Sequence, residues 1–156
     1  MTEWCVKLIR HWESPERVFD RLEGCWILTR NITHQATMQG TARFSRVRED
    51  TLSYHERVQV RLSSGSLYEA YRDYVFNRDR HGFTVLFAES EQKLFHQVAL
   101  TLSDGCLLGV AEHLCSADRY LSMYKFLPNG SYAVEHQVYG PKKAYISTTM
   151  YSRLSS

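Results

Sequence analysis

The chain contains little that would interrupt regular structure or cross-link it. Only three prolines occur in 156 residues, so nothing removes a backbone donor between Pro15 and Pro128. The four cysteines, at positions 5, 25, 106 and 115, form no C-x-x-C pair. The stretch Met1–Arg10 has only scattered apolar residues and predicts no secretory signal. We therefore expect an intracellular, cytoplasmic protein with reduced thiols.

The chain also lacks long apolar runs and a strong net charge. Its longest apolar stretch is Cys106–Ala111, whereas a membrane helix needs about 20 residues. The formal net charge of +2 favours neither a nucleic-acid nor a membrane-surface partner. Hydrophobic residues make up 44% and charged residues 23%, which excludes a disordered or collagen-like chain. We expect one globular domain over residues 1–156.

One short helix is predicted before a long β-rich region. Ser14 is a candidate N-cap, Pro15 suits the first helical position, and Gly24 ends a helix over about residues 15–23. After Gly24 apolar and polar residues alternate, which predicts strands. Ten are expected, near 25–32, 37–47, 51–62, 66–76, 82–88, 93–101, 106–115, 118–127, 131–139 and 144–154.

Short turns between these strands predict an antiparallel meander. The breaks carry turn residues, as in Ser63-Ser64-Gly65 and Pro128-Asn129-Gly130. Ten such strands would leave costly open edges unless the sheet closes. We therefore expect an all-β fold, an up-and-down barrel over about residues 24–154 that can hold one small ligand. A sandwich or a half-open sheet around the helix is the alternative.

The segment that follows the helix resembles a known superfamily. Gly24-Cys25-Trp26 is similar to the G-x-W entry of the lipocalin and fatty-acid-binding (calycin) superfamily. This resemblance implies a lipocalin-like barrel in which a basic residue of the last strand packs over the tryptophan. Arg153 stands where that partner belongs, and such a cation–π contact contributes ~0.5–2 kcal/mol.

A longer pattern is similar to an uncharacterised domain family placed among the calycins. Its matching segments are His113-x-Cys115-x-x-Asp118-x-Tyr120, Gly140-Pro141-Lys142, Tyr151-x-Arg153, Tyr71-Arg72-x-Tyr74 and Leu94-Phe95-His96. The agreement runs from about Phe19 to Arg153. The family often has tryptophan in the penultimate strand, where this chain has Tyr132 and His136. Because the family has no settled activity, the resemblance implies a fold and a set of positions rather than a reaction.

The hairpin around Ser116-Ala117 carries the main polar cluster. A two-residue loop would set Cys115 opposite Asp118 and His113 opposite Tyr120, all on one face. That face continues with small residues on one strand and larger ones on the next, namely Gly109 and Ala111, then Ser122, Tyr124 and Phe126. We expect this pairing to leave a lined cavity, with the hairpin as its wall.

The turn at Ser63–Gly65 permits an argument from charge. A three-residue loop sets Glu56 opposite Arg72 and Tyr54 opposite Tyr74, whereas the other loop lengths oppose like charges. We therefore expect Arg72 inside the barrel with Glu56 near it. An inward arginine must be paired or must meet an anionic ligand. A purely structural ion pair is the alternative.

Further basic residues are expected near the cavity, on the strand predicted near 93–101 and in the turn before the last strand. His96 shares the face of Val98 and Leu100, so it should point inward, where a hydrogen-bonded core histidine is the alternative role. Pro141 stiffens the turn before Lys142 and Lys143, which predicts at least one lysine at the barrel rim. An ordinary solvated turn would explain the same residues.

These positions predict a barrel that binds a small aromatic or anionic molecule in a polar cavity lined by Tyr, Arg and His. The candidate ligand-binding residues are Glu56, Arg72, Tyr74, His96, Cys115, Tyr124 and Lys142. No particular cofactor is indicated by the sequence.

Three other functions stay open. The first is an isomerase, dehydratase or cyclase in which His113 moves protons and Tyr120 stabilises an oxyanion. Asp118, or Glu112 in another register, would orient His113. The second is a metal or haem protein that binds through His113, with Cys115 and His96 as the nearest further ligands. The third is an interaction domain, which would have a filled interior.

Overall fold

The sheet closes into a barrel of ten antiparallel strands. The computed structural model describes residues 11–88, 94–115 and 117–154, without the side chains of residues 94, 95 and 113–115. The strands are β1 (Gly24–Ile32), β2 (Ala36–Arg48), β3 (Thr51–Leu62), β4 (Leu67–Asp79), β5 (Gly82–Phe87), β6 (Leu94–Ser103), β7 (Cys106–Cys115), β8 (Asp118–Phe126), β9 (Tyr132–Tyr139) and β10 (Ala144–Arg153). Each strand pairs with the next in the chain, and β10 pairs with β1. The predicted up-and-down barrel is confirmed.

Strand β4 differs most from its predicted bounds. The turn residues after Phe76 suggested an end there, but β4 continues to Asp79. Asn77 pairs with Thr84, and Asp79 pairs with Gly82, so the β4–β5 turn is tighter than expected. Cross-strand pairing has overridden the local turn preference of asparagine and aspartate.

The helix is shorter and less regular than predicted. It consists of a 3-10 turn, Pro15–Arg17, and a five-residue α-helix, α1 (Val18–Leu22). Ser14 stands at the N-cap, but its side chain makes no capping hydrogen bond. Since so short a helix is marginal by itself, its buried apolar face must stabilise it. Within the described ranges, no helix is long and apolar enough to cross a membrane.

Helix α1 and the start of β1 close one end of the barrel, which we call the closed end. Trp26 is fully buried there, and its indole N–H donates to the Leu22 carbonyl at 2.9 Å. The Arg153 guanidinium lies 4.0 Å from the centre of the Trp26 ring. It also donates to the Glu23 carbonyl at 2.9 Å, so it ties the last strand to the helix end. The contact implied by the G-x-W resemblance is present.

Two arginines of the sheet hold α1 in place. Arg78 lies in β4, beyond the predicted end of that strand, and donates to the Asp20 carboxylate at 2.6 Å. Its guanidinium also lies 4.9 Å from the centre of the Phe19 ring. Arg46 of β2 contacts the same two residues, at 3.0 Å from the carboxylate and 5.5 Å from the ring. The helix therefore has a polar as well as an apolar attachment.

The two predicted hairpin registers are confirmed. Gly65 has φ of +94°, and the three-residue loop places Glu56 opposite Arg72 and Tyr54 opposite Tyr74. In the β7–β8 hairpin the backbone pairs His113 with Tyr120 and Cys115 with Asp118. The side chains of His113 and Cys115 lie outside the described part of the structure.

Candidate functional site

A cavity of about 380 Å³ lies at the end of the barrel opposite α1, which we call the open end. Its polar and aromatic lining consists of Arg30, Tyr71, Arg72, Asp73, Tyr74, Phe87, Tyr120, His136, Tyr145 and Ser147. Ile32, Ala88 and Val138 complete it. In the described part of the chain, β5 pairs with β4 only from Tyr74 to Asp79, so the first half of β4 borders the opening.

A lower chamber of about 40 Å³ lies beneath the cavity, towards the closed end. Both spaces are lined by Arg30, Arg72, Tyr74 and His136. Glu56, Tyr54 and other buried residues line only the lower chamber. A space of this size has room for ordered water but not for an organic ligand. The four shared residues therefore form the floor of the cavity.

Arg72 lines the barrel interior, as predicted, but it is not buried there. Its side chain is exposed rather than buried, although it lines both the cavity and the lower chamber. Its guanidinium lies 6.0 Å from the centre of the Tyr74 ring. The reason is that the first half of β4 borders the open end, so an inward-facing position there still meets solvent.

The buried partner of Glu56 is Arg30, not Arg72. Arg30 donates to both carboxylate oxygens of Glu56, at 2.7 and 2.9 Å. Its Nε donates to Thr149 Oγ1 at 2.7 Å. The two side chains are only 7% and 2% exposed, so this is a buried two-pronged ion pair. The alternative of a purely structural ion pair between Glu56 and Arg72 is therefore wrong, although the two residues stand opposite each other as predicted.

Both members of this ion pair stay charged. Burial by itself would raise the pKa of Glu56, but the hydrogen bonds and the charge of Arg30 outweigh burial and lower it. Tyr54 adds a donor, its hydroxyl lying 2.5 Å from Glu56 Oε1. The Tyr151 hydroxyl is in turn hydrogen-bonded with the Tyr54 hydroxyl at 2.8 Å. The lower chamber is thus walled by a continuous hydrogen-bonded network.

His136 contributes a neutral imidazole to the cavity floor. Burial lowers its pKa to about 4, and the positive charges of Arg30 and Arg72 act in the same direction. Its Nδ1 is hydrogen-bonded with the Ser122 hydroxyl at 2.7 Å. At neutral pH this side chain therefore offers hydrogen bonding without a charge.

Acidification is expected to destabilise the barrel through His136. The folded protein binds the proton near pH 4 and the unfolded chain near pH 6.5, so the unfolded state takes up the proton first. Stability from this residue is complete above pH 6.5 and falls by about 1–3 kcal/mol towards pH 4. Urea unfolding across this range should show a smaller loss for His136→Asn. The same loss in both proteins would contradict the assignment.

His96 points inward, as predicted, but it meets Tyr124 rather than the cavity. It is 2% exposed, and its Nε2 lies 2.7 Å from the Tyr124 hydroxyl. Tyr124 lines only the lower chamber. These two candidate ligand-binding residues therefore support the floor from below.

The part of the β7–β8 hairpin that lines the cavity lies closer to the hairpin turn than expected. A side chain at Gly109 would meet Val98 Cγ1 at 2.3 Å, so Val98 already occupies the space that this glycine leaves. The prediction of a cavity beside Gly109 is wrong for this reason. Tyr120, nearer the hairpin turn, does line the cavity.

Asp118 and Tyr120 share a lysine at the rim. Lys143 lies 3.1 Å from the Asp118 carboxylate and donates to the Tyr120 hydroxyl at 3.2 Å. At least one of Lys142 and Lys143 was predicted at the rim, with Lys142 as the candidate ligand-binding residue. Both are exposed, and it is Lys143 that makes these contacts. Gly140 leaves room for this cluster, because a Cβ there would lie 2.0 Å from Asp118 Oδ1.

No metal centre emerges from the described side chains. Within residues 11–88, 94–112 and 117–154, no group of three His, Cys, Asp or Glu side chains could hold a metal ion. The predicted ligands His113 and Cys115 lie outside this set.

The cavity contains residues that the sequence reasoning missed. Arg30 follows Trp26 and Leu28 at alternate positions of β1, so alternation from the buried Trp26 would have placed it inside. His136 stands between the buried Val134 and Val138 and could have been found in the same way.

Comparison with known proteins gives a family and a fold. A family model described as a family of unknown function (DUF6314) matches residues 22–153. No curated protein matches the chain. The S-type phycobiliprotein lyase of Guillardia theta is 14% identical with a TM-score of 0.57, covering 95% of this chain and 97% of that one. The protein EF1p2_mFAP2b bound to DFHBI is 15% identical with a TM-score of 0.44, covering 90% and 100%. At these identities the likeness concerns the fold alone.

Proposed function

Because the chain belongs to the family of unknown function DUF6314, we propose its role from its own cavity: the barrel binds a small aromatic molecule that carries a negative charge. The observation that carries this proposal is the position of Arg72 on the cavity floor. The other arginine of the floor, Arg30, has its charge balanced by Glu56. The fold shared with the phycobiliprotein lyase is compatible with a ligand in the lumen.

The charges around the cavity favour an anion. The Arg30 and Glu56 charges cancel, and His136 is neutral at pH 7 because its pKa is about 4. Asp73 also lines the cavity, but its carboxylate is already hydrogen-bonded, lying 2.6 Å from His55 Nδ1. Among the described residues, no salt bridge to Arg72 is found. Its guanidinium can therefore bind a carboxylate or a sulfonate through two hydrogen bonds.

The remaining lining favours an aromatic body for the ligand. Four aromatic residues line the cavity, namely Tyr74, Phe87, Tyr120 and Tyr145, and three of them carry a hydroxyl. Aromatic rings supply large contact areas, and hydroxyl groups fix orientation. A cavity of about 380 Å³ lies near the lower end of the usual range for ligand pockets, which suits a small molecule.

Replacing Arg72 with methionine is expected to separate charge from hydrophobic binding. Two fluorescent probes with one ring system serve here, the anionic 8-anilinonaphthalene-1-sulfonate and the uncharged N-phenyl-1-naphthylamine. Arg72→Met should weaken binding of the sulfonate more than tenfold, about 1.4 kcal/mol, and leave the uncharged probe unaffected. Fluorescence titration of both probes measures this difference.

The matched control is Arg43→Met, which removes the same charge from the exposed outer face of β2. It should leave both affinities unchanged. Equal weakening of both probes by Arg72→Met would argue against a charge contact. An unchanged sulfonate affinity would remove Arg72 from the site.

A second candidate function, acid–base catalysis, is favoured by Tyr120. Tyr120 lines the cavity, and its hydroxyl receives a hydrogen bond from Lys143. A hydroxyl polarised by a lysine is a group that can stabilise negative charge developing on a carbonyl oxygen. In this alternative His113 is the proton carrier and Asp118 acts through the same rim cluster. Deuterium incorporation from heavy water into small carbonyl compounds would distinguish an enzyme from a binding barrel.

Three further parts of the sequence interpretation belong to the proposal. A calycin relationship is supported by the Arg153 guanidinium over the Trp26 ring. An intracellular location is supported by the free thiols of Cys25 and Cys106. A small molecule rather than a nucleic acid as partner is supported by the net charge of +2.

A further inference from the structure

The floor of the cavity contains two arginines, but only one of them adds charge to it. Arg30 and Arg72 both line the cavity and the lower chamber. Arg30 is held by the two oxygens of Glu56, whereas the exposed Arg72 contacts the Tyr74 ring. The two guanidinium groups would make the floor doubly positive without Glu56.

Glu56 is fixed where it acts. Its carboxylate is 2% exposed and accepts hydrogen bonds from Arg30 and from the Tyr54 hydroxyl. Arg30 is fixed in turn by Thr149 at 2.7 Å. Because these partners surround the carboxylate, it cannot turn away when a ligand enters, and its negative charge stays beneath the floor.

We infer that Glu56 determines the charge class of the ligand: the cavity takes aromatic molecules with one negative charge and rejects those with two. This inference rests on the proposed function and specifies it further. Glu56 acts through Arg30 and is therefore a positioning residue rather than a binding one.

The physical reason is the shortage of positive charge for a second anionic group. The first carboxylate or sulfonate of a ligand can pair with Arg72. A second one would leave water for a cavity in which Arg30 is already neutralised, and desolvation of an unpaired anion is costly. It would also meet the repulsion of the Glu56 carboxylate, which is stronger in a partly buried site than in water.

Two ligands of one ring system test the inference directly. Naphthalene-1-sulfonate carries one negative charge and naphthalene-1,5-disulfonate carries two. Isothermal titration calorimetry of the wild-type protein should give an affinity at least tenfold higher for the monosulfonate. Equal or tighter binding of the disulfonate by the wild-type protein would overturn the inference, whatever the variants do.

The variants assign the selectivity to the charge of Glu56. Glu56→Gln releases the charge of Arg30, so the preference for the monosulfonate should fall at least tenfold. The double variant Arg30→Gln/Glu56→Gln keeps the net charge of the wild type and should keep its preference. Circular dichroism at the titration temperature verifies that each variant is folded.

The outcomes are distinguishable from those of the proposed function. If neither sulfonate binds the wild-type protein, the proposed function and this inference both fail. If the monosulfonate binds through Arg72 but the double variant loses the preference, the function stands and the inference is overturned. A preference that persists in folded Glu56→Gln overturns it as well. Since the double variant retains no buried unpaired charge, it tests the inference even where Glu56→Gln is unfolded.

Discussion

Replacing Glu56 with alanine is expected to lower the free energy of unfolding by about 3–5 kcal/mol. Because Arg30 is only 7% exposed, the substitution leaves its guanidinium buried without the carboxylate that pairs with it. It also removes the acceptor of the Tyr54 hydroxyl, which lies 2.5 Å from Glu56 Oε1. A buried donor without its acceptor adds to the loss. Urea unfolding followed by circular dichroism measures the change.

The double variant Arg30→Met/Glu56→Met is the control for this experiment. It removes both charges together and fills the space with apolar groups, so its stability should lie within about 1 kcal/mol of the wild type or exceed it. Such a result would show that the loss of stability in Glu56→Ala comes from the unpaired charge of Arg30. A loss below about 1 kcal/mol for Glu56→Ala, as in an exposed ion pair, would contradict the buried geometry.

Replacing Trp26 with alanine is expected to cost about 3–5 kcal/mol of stability. Trp26 is fully buried at the closed end and stacks on Trp12, with ring centres 5.9 Å apart. Tyr132 meets it edge-on at 4.9 Å. The variant would leave a cavity beneath α1 and would also remove the support of Arg153. Because the helix has only five α-helical residues, it depends on this packing.

Trp26→Phe is the matched variant, since it keeps an aromatic ring but shortens it and removes the N–H that bonds the Leu22 carbonyl. Its loss of stability should be clearly smaller than that of Trp26→Ala. Thermal unfolding of the three proteins in parallel measures the order. If Trp26→Ala unfolded at the same temperature as the wild type, the stability of the closed end would not depend on this residue.

The strands and their registers could be predicted because their signals are local. Period-two alternation marks each strand, and the turn residues mark where it ends. The charges of the facing residues, together with Gly65 in the turn, distinguish the three-residue loop and with it the pairing of Glu56 with Arg72 across β3 and β4. Where a local signal competed with pairing, as after Phe76, the pairing decided the strand end.

The candidate site was predicted only in part. Arg72, Tyr74 and Tyr120 do line the cavity, and they were chosen from their places in hairpins. The partner of Glu56 was missed because it comes from a strand that is not its neighbour. Arg30 pairs with Met38 of β2, whereas Glu56 pairs with Ala42 of the same strand. The register of a hairpin identifies the residues that face each other on neighbouring strands, but it does not identify contacts between strands separated by a third.

The order of the strands, the closure of the sheet and the hairpin registers follow from the sequence, because alternation and turn chemistry act over a few residues. The way the inward charges combine follows only from the tertiary structure. Strands β1 and β3 both pair with β2, and one long inward side chain spans the distance between them. Arg30 therefore pairs with Glu56, and Arg72 stays at the open end. Which charge is cancelled and which can meet a ligand thus depends on contacts between residues far apart in the chain.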